Sequence, residues 1–175
     1  MPTTTPDRTL GEGRFLRLID RGGWEFAVRR RGTGVVGILA VTADDQVILV
    51  EQHRPAVDAA VVELPAGLVG DEDDSAEHQS VAAGRELEEE TGYRAADLRP
   101  LATGASSAGL TSECVTLYHA TGLTRVGTGG GVAGEDIAVH HVPLADVRPF
   151  LAAAQAAGKA IDFKIAAALY LAGYA

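Results

Sequence analysis

Several residue types that stabilise extracellular and membrane proteins are scarce in this sequence. The chain has one cysteine, Cys114, among 175 residues, so no disulfide can form within it. No run of 18 apolar residues occurs, and the first residues contain no apolar core of signal-peptide length. Because Cys114 lies in an apolar run, we expect a buried thiol in a reducing compartment. We therefore expect a soluble cytoplasmic protein without a membrane partner.

Positive charge is also scarce. The chain has 15 Lys and Arg residues against 24 Asp and Glu residues, which gives a net charge of -9 at pH 7 and a pI near 4.9. Nucleic acids and anionic membranes repel a uniformly acidic surface, so we expect neither as a partner. An anionic substrate would then need metal ions and a few local arginines in order to bind.

The chain length allows one domain with a sizeable core, with or without a small appendage. We expect the appendage at residues 1–32 and the main domain at residues 33–175. Residues 1 to about 12 are polar and predict a loose arm, and the apolar segments around the turn at residues 20–23 predict a β-hairpin. Because an isolated hairpin is only marginally stable, it must pack on its own domain or on a second subunit, and we expect it to form a dimer.

Apolar segments alternate with turn residues along the main domain and predict its strands and helices. Strands are expected at residues 35–41, 46–52, 61–64, 98–103, 114–120 and 137–142, and helices at residues 76–91, 144–157 and 161–172. Strands on both sides of a central helix, with further helices at the end, predict a mixed α/β sandwich. Residues 127–134 are rich in glycine but lack the lysine and the following helix of a phosphate-binding loop, so they predict a flexible surface loop.

The central helix has clear boundary signals. Its predicted span, residues 76–91, contains no proline and many Ala, Glu, Leu and Arg residues, which favour helix. Asp74 or Ser75 is expected to cap the start, and Gly92 is expected to follow the end.

Three glutamates on this helix, Glu86, Glu89 and Glu90, are spaced so that their carboxylates are neighbours on one face. A solvated helix face is the simplest interpretation, but two physical points favour a metal site. Helix C-termini attract cations, and these glutamates lie near that end. Two carboxylates about 6 Å apart also repel by about 3 kcal/mol at an effective dielectric near 20, and a bound divalent cation would reverse this repulsion. An all-oxygen cluster suits Mg²⁺ or Mn²⁺ rather than zinc.

The residues around these glutamates form a motif. Residues 85–93, RELEEETGY, match the pattern R-E-U-x-E-E-x-G-U, where U is aliphatic or aromatic, and Glu77 precedes Arg85 by eight positions. This pattern resembles the second half of the Nudix box. The box glycine should fall six residues before Glu77, where Asp71 stands, so Gly67 is the expected counterpart and about four extra residues are expected in the following loop.

The resemblance implies a Nudix-type α/β/α sandwich with a mixed sheet. It also implies metal-dependent hydrolysis of a nucleoside diphosphate that is linked to another group. The implied cofactor is Mg²⁺ or Mn²⁺, and the implied ligands are Glu86, Glu89, Glu90 and the backbone carbonyl of Ala66. Arg85 is implied as the partner that orients the glutamates, a role compatible with an ordinary helix salt bridge.

Similarity outside the box extends to the branch of ADP-ribose and ADP-sugar pyrophosphatases. The similar segments are residues 23–26, 51–55, 63–67 and 158–171. In that branch the N-terminal strands are exchanged across a homodimer and help to form the adenine site. The resemblance therefore implies a homodimer whose substrate is a nucleoside diphosphate sugar, with ADP-ribose or a related ADP-sugar giving AMP and a sugar phosphate.

The same branch implies three substrate-binding residues, Trp24, Arg54 and Glu63. Trp24 would stack on the base, although a core or interface aromatic explains this residue equally well. Arg54 follows a strand and would contact a phosphate, the alternative being a surface arginine. Glu63 begins one of the similar segments.

The general base is expected among three acidic residues. Glu135 lies after the glycine-rich loop, where members of the branch keep a mobile carboxylate, and we favour it over Glu89 and over its neighbour Asp136. A proline that the branch often carries after the box is replaced by Ala108, which leaves the sugar less well defined.

Two alternative functions remain open from the sequence. A Nudix hydrolase of another nucleotide, such as a GDP-sugar, a dinucleoside polyphosphate or an oxidised nucleotide, would keep the box and change the surrounding contacts. A non-catalytic sensor of nucleotide sugars would typically have lost box glutamates, and this chain retains all of them.

Overall fold

A computed structural model describes residues 6–70, 77–132 and 134–174 of the chain. Its strands are β1 (Arg8–Glu12), β2 (Leu16–Arg21), β3 (Trp24–Arg29), β4 (Gly34–Val41), β5 (Gln46–Arg54), β6 (Ala59–Glu63), β7 (Ala66–Val69), β8 (Tyr93–Arg94), β9 (Asp97–Ala105), β10 (Cys114–Thr121), β11 (Thr124–Arg125), β12 (Ala138–Pro143) and β13 (Ala160–Ile161). Its helices are α1 (Gln79–Thr91), α2 (Val147–Ala156) and α3 (Lys164–Ala172), and a 3₁₀ turn (Leu144–Asp146) precedes α2.

The N-terminal sheet consists of three antiparallel strands in the order β1-β2-β3. The expected hairpin is therefore present. The prediction of a loose arm over residues 1 to about 12 is wrong for Arg8–Glu12, which form β1 and add a third strand. An ion pair of 2.7 Å between Arg8 and Asp20 reinforces this pairing. The outer edge of β3 is bonded to the loop before β10, because the Ala27 N–H donates to the Leu110 carbonyl at 2.8 Å. The N-terminal sheet is thus attached to the following part of its own chain.

The main sheet is mixed and has the order β13-β6-β5-β4-β10-β9, with β12 also paired to β5 and β7 also paired to β4. Strand β4 runs parallel to β10 and antiparallel to β5 and β7. Because central strands of this kind are covered on both faces, their sequences are nearly continuous apolar runs, as in β4 and the first half of β5. The pairing of β7 with β4 is important for function because it places residues 66–69 beside the middle of the sheet.

The core lies in two layers, one on each face of the main sheet. Successive side chains of β4 alternate between them: Leu39 faces the layer that includes α2 and α3, whereas Ile38 faces the layer that includes α1. In the second layer, Ala83 and Leu87 of α1 are fully buried against the sheet. Helices on both faces of a mixed sheet confirm the predicted α/β/α sandwich.

Some predicted boundaries differ from the structure. Helix α1 begins at Gln79 rather than near residue 76, and His78 caps it by accepting a hydrogen bond from the Ser80 N–H at 3.3 Å. Asp74 and Ser75, the predicted caps, lie outside the described residues. The end of α1 is as predicted, with Gly92 in the left-handed region at φ 74°.

The C-terminal helices also start later than predicted. Helix α2 begins at Val147, after the 3₁₀ turn, because Pro143 still belongs to β12. Helix α3 begins at Lys164, because Ala160 and Ile161 pair with β6 and form β13. In the part of the chain that the structure describes, no helix is long and apolar enough to cross a membrane.

The expectation of a buried thiol is wrong. Cys114 is exposed, because it is the first residue of β10 and lies at the margin of the sheet. The buried part of that strand begins at the next residue, Val115.

Candidate active site

The close approach of β7 to α1 determines the geometry of the candidate site. A Cβ atom added to Gly67 would lie 1.9 Å from Cδ and 2.0 Å from Oε1 of Glu86. Only glycine therefore permits the Glu86 carboxyl group to rest against the β7 backbone. Gly67 pairs with Val36 of β4, which fixes the position of that backbone in the sheet.

Glu90 lies one helical turn further along α1 and is more deeply buried, with 5% of its surface exposed. Its Oε2 atom accepts a hydrogen bond from the Ala66 N–H at 3.0 Å. The structure thus brings Ala66, Glu86 and Glu90 together, and the contact with Glu90 is made by the Ala66 N–H, whereas the family resemblance implied the Ala66 carbonyl as a metal ligand.

Burial and neighbouring charge raise the pKa values of two of these carboxyls. Burial raises the pKa of Glu86 to about 7, with Glu89 and Glu135 adding to the effect and Arg85 opposing it. Burial raises the pKa of Glu90 to about 8, with Glu86 and Glu135 adding to it and the Ala66 N–H and Arg54 opposing it. Near neutral pH these two carboxyls are therefore partly protonated, and a bound cation can replace the protons.

Arg85 connects the glutamates of α1 to the loop before the helix. Its Nη1 atom donates to Glu86 Oε1 at 2.8 Å and to Glu89 Oε2 at 3.2 Å. Its Nε atom donates to Glu77 Oε1 at 3.2 Å, and its Nη2 atom donates to the Leu68 carbonyl at 3.1 Å. A guanidinium held by these four groups has little freedom, so it fixes the orientation of Glu86 and Glu89 on α1.

Glu77 braces the same region. Its Oε2 atom accepts a hydrogen bond from the Gly70 N–H at 2.7 Å, and this bond together with Arg85 holds the pKa of Glu77 below its usual value, against a smaller opposing effect of burial. Glu77 therefore remains charged and links the end of β7 to α1.

The glycine-rich loop lies against the C-terminal end of α1. The Gly130 N–H donates to the Glu90 carbonyl at 2.8 Å, and the Gly131 N–H donates to the Glu89 carbonyl at 3.1 Å. Glu135 follows this loop and accepts a hydrogen bond from the Val132 N–H at 3.0 Å. The charge of Glu135 contributes to the raised pKa values of Glu86 and Glu90, so Glu135 belongs to the same electrostatic cluster.

Residues Glu86, Glu89, Glu90 and Glu135 are called the carboxylate site below. Sequence reasoning found these four glutamates but missed the helix-capping role of the loop glycines. The sequence signal was the run of glycines from Gly129 to Gly131. In the structure all three have positive φ angles, which glycine adopts readily.

Arg54 and Glu63 form an ion pair beside the carboxylate site. Arg54 Nε donates to Glu63 Oε2 at 2.7 Å, and Glu63 is 9% exposed. The charge of Arg54 lowers the pKa of Glu90, which places the guanidinium within electrostatic reach of the buried carboxyl. Glu63 thus contacts Arg54, and its expected contact with substrate stays a prediction.

Two further candidates lie apart from these contacts. Trp24 begins β3 in the N-terminal sheet and is 62% exposed, so its ring is accessible to a ligand or to a second subunit. Asp136 is exposed beside Glu135.

The residues at the carboxylate site fit a hard divalent cation by their chemistry. They supply carboxylate oxygens and the Ala66 backbone, and carboxyl groups with raised pKa values are stabilised when a cation compensates their charge. Among residues 6–70, 77–132 and 134–174, no three His, Cys, Asp or Glu side chains are already arranged to hold a metal ion. In this structure Arg85 donates a hydrogen bond to Glu86, and the Ala66 N–H donates one to Glu90.

Curated relatives of this chain include several nucleotide pyrophosphatases. It is 37% identical over 91 residues to the ADP-ribose pyrophosphatase of Bacillus subtilis (52% of this chain, 47% of the relative). It is 41% identical over 120 residues to the uridine diphosphate glucose pyrophosphatase NUDT14 of Mus musculus (65% and 53%). It is also 36% identical over 102 residues to the methanol dehydrogenase activator of Bacillus methanolicus (58% and 53%). The matches thus span about half the length of these relatives.

Two further findings concern the fold and the family. The solved structure of an ADP compounds hydrolase superposes with a TM-score of 0.71 at 23% identity, covering 98% of this chain and 91% of that one, and therefore shares the fold. The model of the NUDIX domain matches residues 31–162, which is more than half of the chain. The protein belongs to the NUDIX domain family.

Proposed function

We propose that the protein is a divalent-metal-dependent pyrophosphohydrolase of nucleoside diphosphate sugars. ADP-ribose or a related ADP-sugar is the proposed substrate, and AMP and a sugar phosphate are the products. One observation carries this proposal: the half-buried Glu86 and the buried Glu90, one helical turn apart, lie against the β7 backbone at Gly67 and Ala66 with pKa values raised to about 7 and about 8. Such an arrangement is unfavourable in isolation and favourable around a cation.

The proposed ligands of Mg²⁺ or Mn²⁺ are the carboxylates of Glu86, Glu89 and Glu90 and the carbonyl of Ala66. When bound, the metal neutralises the diphosphate and lowers the pKa of the attacking water. Arg85 holds Glu86 and Glu89 in place through the hydrogen bonds described above.

The remaining roles belong to groups around the carboxylate site. Arg54 binds a phosphate oxygen, and Glu63 orients its guanidinium from the side. Glu135 accepts the proton of the attacking water, and Glu89 and Asp136 are the alternative general bases. Trp24 stacks on the base of the nucleotide.

The names of the relatives support the substrate class. Two of the relatives named above are an ADP-ribose pyrophosphatase and a uridine diphosphate glucose pyrophosphatase, and both names describe nucleoside diphosphate sugars. A GDP-mannose pyrophosphatase of Salmonella arizonae, 31% identical over 122 residues, keeps a GDP-sugar as the alternative substrate. Dinucleoside polyphosphates and oxidised nucleotides are further alternatives.

The assembly and the surroundings of the protein are part of the proposal. Residues 1–32 are proposed to form a homodimer, and residues 33–175 are proposed to carry the hydrolase site. A cytoplasmic location and the lack of a nucleic-acid partner remain predictions from the sequence.

The decisive experiment is a substrate screen with metal-depleted protein. ADP-ribose, other ADP-sugars, UDP-glucose and GDP-mannose are each incubated with and without Mg²⁺ or Mn²⁺, and phosphate released by an added phosphatase is measured. We expect turnover only with a metal and fastest with an ADP-sugar, and we expect Glu90→Gln to lose most of it. Equal rates in the presence of a chelator would contradict the proposal, whereas a preference for GDP-mannose would select the alternative.

A second measurement tests the metal site without any substrate. Adding Mg²⁺ or Mn²⁺ to the chelated protein should raise its Tm, because the cation binds the folded state. The double variant Glu86→Gln/Glu90→Gln should keep its fold and lose this increase. An equal increase in the variant would place the metal elsewhere.

A further inference from the structure

A second pocket, distinct from the carboxylate site, concentrates positive charge in this acidic protein. It has a volume of about 340 Å³ and is called the arginine pocket; its lining residues are Arg14, Phe15, Arg29, Arg30, Arg31 and Leu68. Four of the 15 Lys and Arg residues of a chain with net charge -9 thus surround one cavity. Guanidinium groups repel one another, so their convergence on one cavity favours an anion within it.

The arginine pocket adjoins the carboxylate site without being part of it. Leu68 lines the pocket and belongs to β7, while its backbone carbonyl accepts a hydrogen bond from Arg85 at 3.1 Å. The other lining residues come from the loop before β2 and from the end of β3 and the segment after it. The N-terminal sheet and the main sheet therefore meet at this pocket.

Carboxylates of the protein already pair with two of the pocket arginines. Arg29 contacts Glu113 at 2.5 Å, and Arg30 contacts Glu12 at 2.8 Å. The Arg29 side chain remains 40% exposed and the Arg30 side chain 43% exposed, and ion pairs with this exposure contribute little stability. They can be exchanged for the oxygens of a ligand at small cost.

Arg14 is positioned by a different contact. Its guanidinium carbon lies 4.9 Å from the centre of the Phe15 ring, in a cation–π arrangement. This contact holds the positive charge at the pocket wall and leaves the N–H groups of the guanidinium fork available to an acceptor.

We propose that the arginine pocket is a second anion site, which binds the phosphate groups of a phosphorylated small molecule. Planar guanidinium forks match phosphate oxygens in pairs, which makes several arginines around one cavity more suited to phosphate than to a single carboxylate. The volume is that of a small ligand site. The phosphates belong either to a free ligand or to the far end of a long substrate whose diphosphate lies at the carboxylate site.

The test uses inorganic pyrophosphate as the probe, titrated calorimetrically into the full chain in the presence of a chelator. Without metal the carboxylate site lacks the cation that would attract an anion, so binding reports on the arginine pocket. We expect Arg14→Gln to weaken binding about 10-fold, because it removes one charge-assisted hydrogen-bonding group. Arg148→Gln, which removes the same charge from the exposed surface of α2, should leave affinity within about twofold.

A variant with the opposite effect makes the test independent of folding defects. Glu12→Gln removes the carboxylate that pairs with Arg30, so it should tighten pyrophosphate binding several-fold. Equal affinity in Arg14→Gln and Arg148→Gln, or an absence of binding at about millimolar probe, would overturn the proposal. So would binding that Glu90→Gln alters and Arg14→Gln does not, because the anion would then lie at the carboxylate site.

Kinetics separate the two sources of phosphate. If the pocket holds the far end of the substrate, Arg14→Gln raises KM, and pyrophosphate competes with the substrate. If it holds a free ligand, KM is unchanged by Arg14→Gln and pyrophosphate binds alongside the substrate. Both results support an anion site, and the calorimetric result stands whether or not the chain hydrolyses a nucleoside diphosphate sugar.

Discussion

At the scale of single residues, Gly67 and Glu86 depend on each other. The Glu86 carboxyl group occupies the space where any other residue at position 67 would place its Cβ atom. Neither group can easily move, because Gly67 is paired with β4 and Glu86 is held by Arg85. The absence of a side chain at one position thus determines where the carboxylate at the other can lie.

We predict that Gly67→Ala displaces Glu86 and removes most of the metal-dependent turnover. Overpacking of this kind costs about 1–3 kcal/mol of stability, which urea denaturation would detect. Gly104→Ala on β9 is the matched control, because a Cβ atom there would meet no atom of the described residues within 4 Å. If Gly67→Ala retained the Tm increase caused by Mg²⁺, the close contact would be irrelevant to the metal site.

Glu135 is the second residue whose role can be isolated. A helix glutamate bound to a metal has a lowered pKa and is a poor proton acceptor, whereas Glu135 follows a loop and is exposed. We predict that Glu135→Gln lowers kcat by about 10²–10⁴-fold with KM changed only a few-fold, as expected for a general base. Asp136→Asn should lower kcat by a smaller factor. A loss below about tenfold for Glu135→Gln, or a larger loss for Asp136→Asn, would exclude Glu135 as the base.

At the scale of elements, α1 ends in a way that its own sequence does not favour. Its last turn carries Glu88, Glu89 and Glu90 and no basic residue, although helix C-termini attract positive charge. The glycine-rich loop compensates by donating N–H groups to the carbonyls of Glu89 and Glu90. The same loop leads to Glu135, so one contact both caps the helix and brings a fourth carboxylate to the site.

A second contact, from β10 to a residue that follows α3, should make stability depend on pH. His119 is 9% exposed, and the Tyr174 hydroxyl lies 3.3 Å from its Nε2 atom. Burial lowers the pKa of His119, Arg99 lowers it further and Asp97 opposes them. A histidine with a lowered folded-state pKa contributes stability above its unfolded value of 6.5, and this contribution is lost as the pH falls through the folded-state pKa.

We therefore predict that His119 lowers the free energy of unfolding at about pH 5 relative to about pH 7.5, and that His119→Gln removes this contribution, so that the variant loses less or gains more stability than wild type over the same range. The comparison of wild type with the variant cancels the opposite effect of Glu86 and Glu90, whose raised pKa values stabilise the metal-free protein at low pH. Urea denaturation at both pH values measures the difference. An equal change in the two proteins would mean that His119 does not titrate in this range.

At the scale of the whole molecule, the sequence predicted the parts that follow from regular patterns. The apolar runs of β4 and β5 and the end of α1 at Gly92 were located closely, because burial and capping leave clear signals. Strand β13 was missed, because two residues carry no periodicity and pair only after the chain has folded. The burial of Cys114 was predicted wrongly, because an apolar run does not reveal which of its residues lies at the exposed end of the strand.

The site shows the same division. The motif drew attention to Glu86, Glu89 and Glu90, but only the folded chain shows that Glu63 contacts Arg54. Long-range contacts of this kind depend on β5 and β6 lying side by side in the sheet.

The N-terminal sheet supports a last prediction, that two chains associate through residues 13–30. Ile19 of β2 is buried, while Leu16 and Leu18 point to the opposite face and remain 47% and 42% exposed. Exposed apolar side chains grouped on one face of a sheet favour association, and a two-fold dimer would bring the two copies of this face together. Deleting residues 1–30 should give monomers or insoluble protein.

A gentler variant keeps the sheet intact. Leu16→Lys/Leu18→Lys places two charges on the exposed face, and we expect monomers by light scattering coupled to size-exclusion chromatography, because buried unpaired charges oppose association. Val81→Lys, which changes an exposed apolar residue of α1 (60% exposed), is the matched control and should leave the assembly unchanged. If the doubly substituted protein stayed dimeric, the exposed face of β2 would not be the interface. If wild type were itself monomeric, Trp24 would have to reach a nucleotide within its own chain.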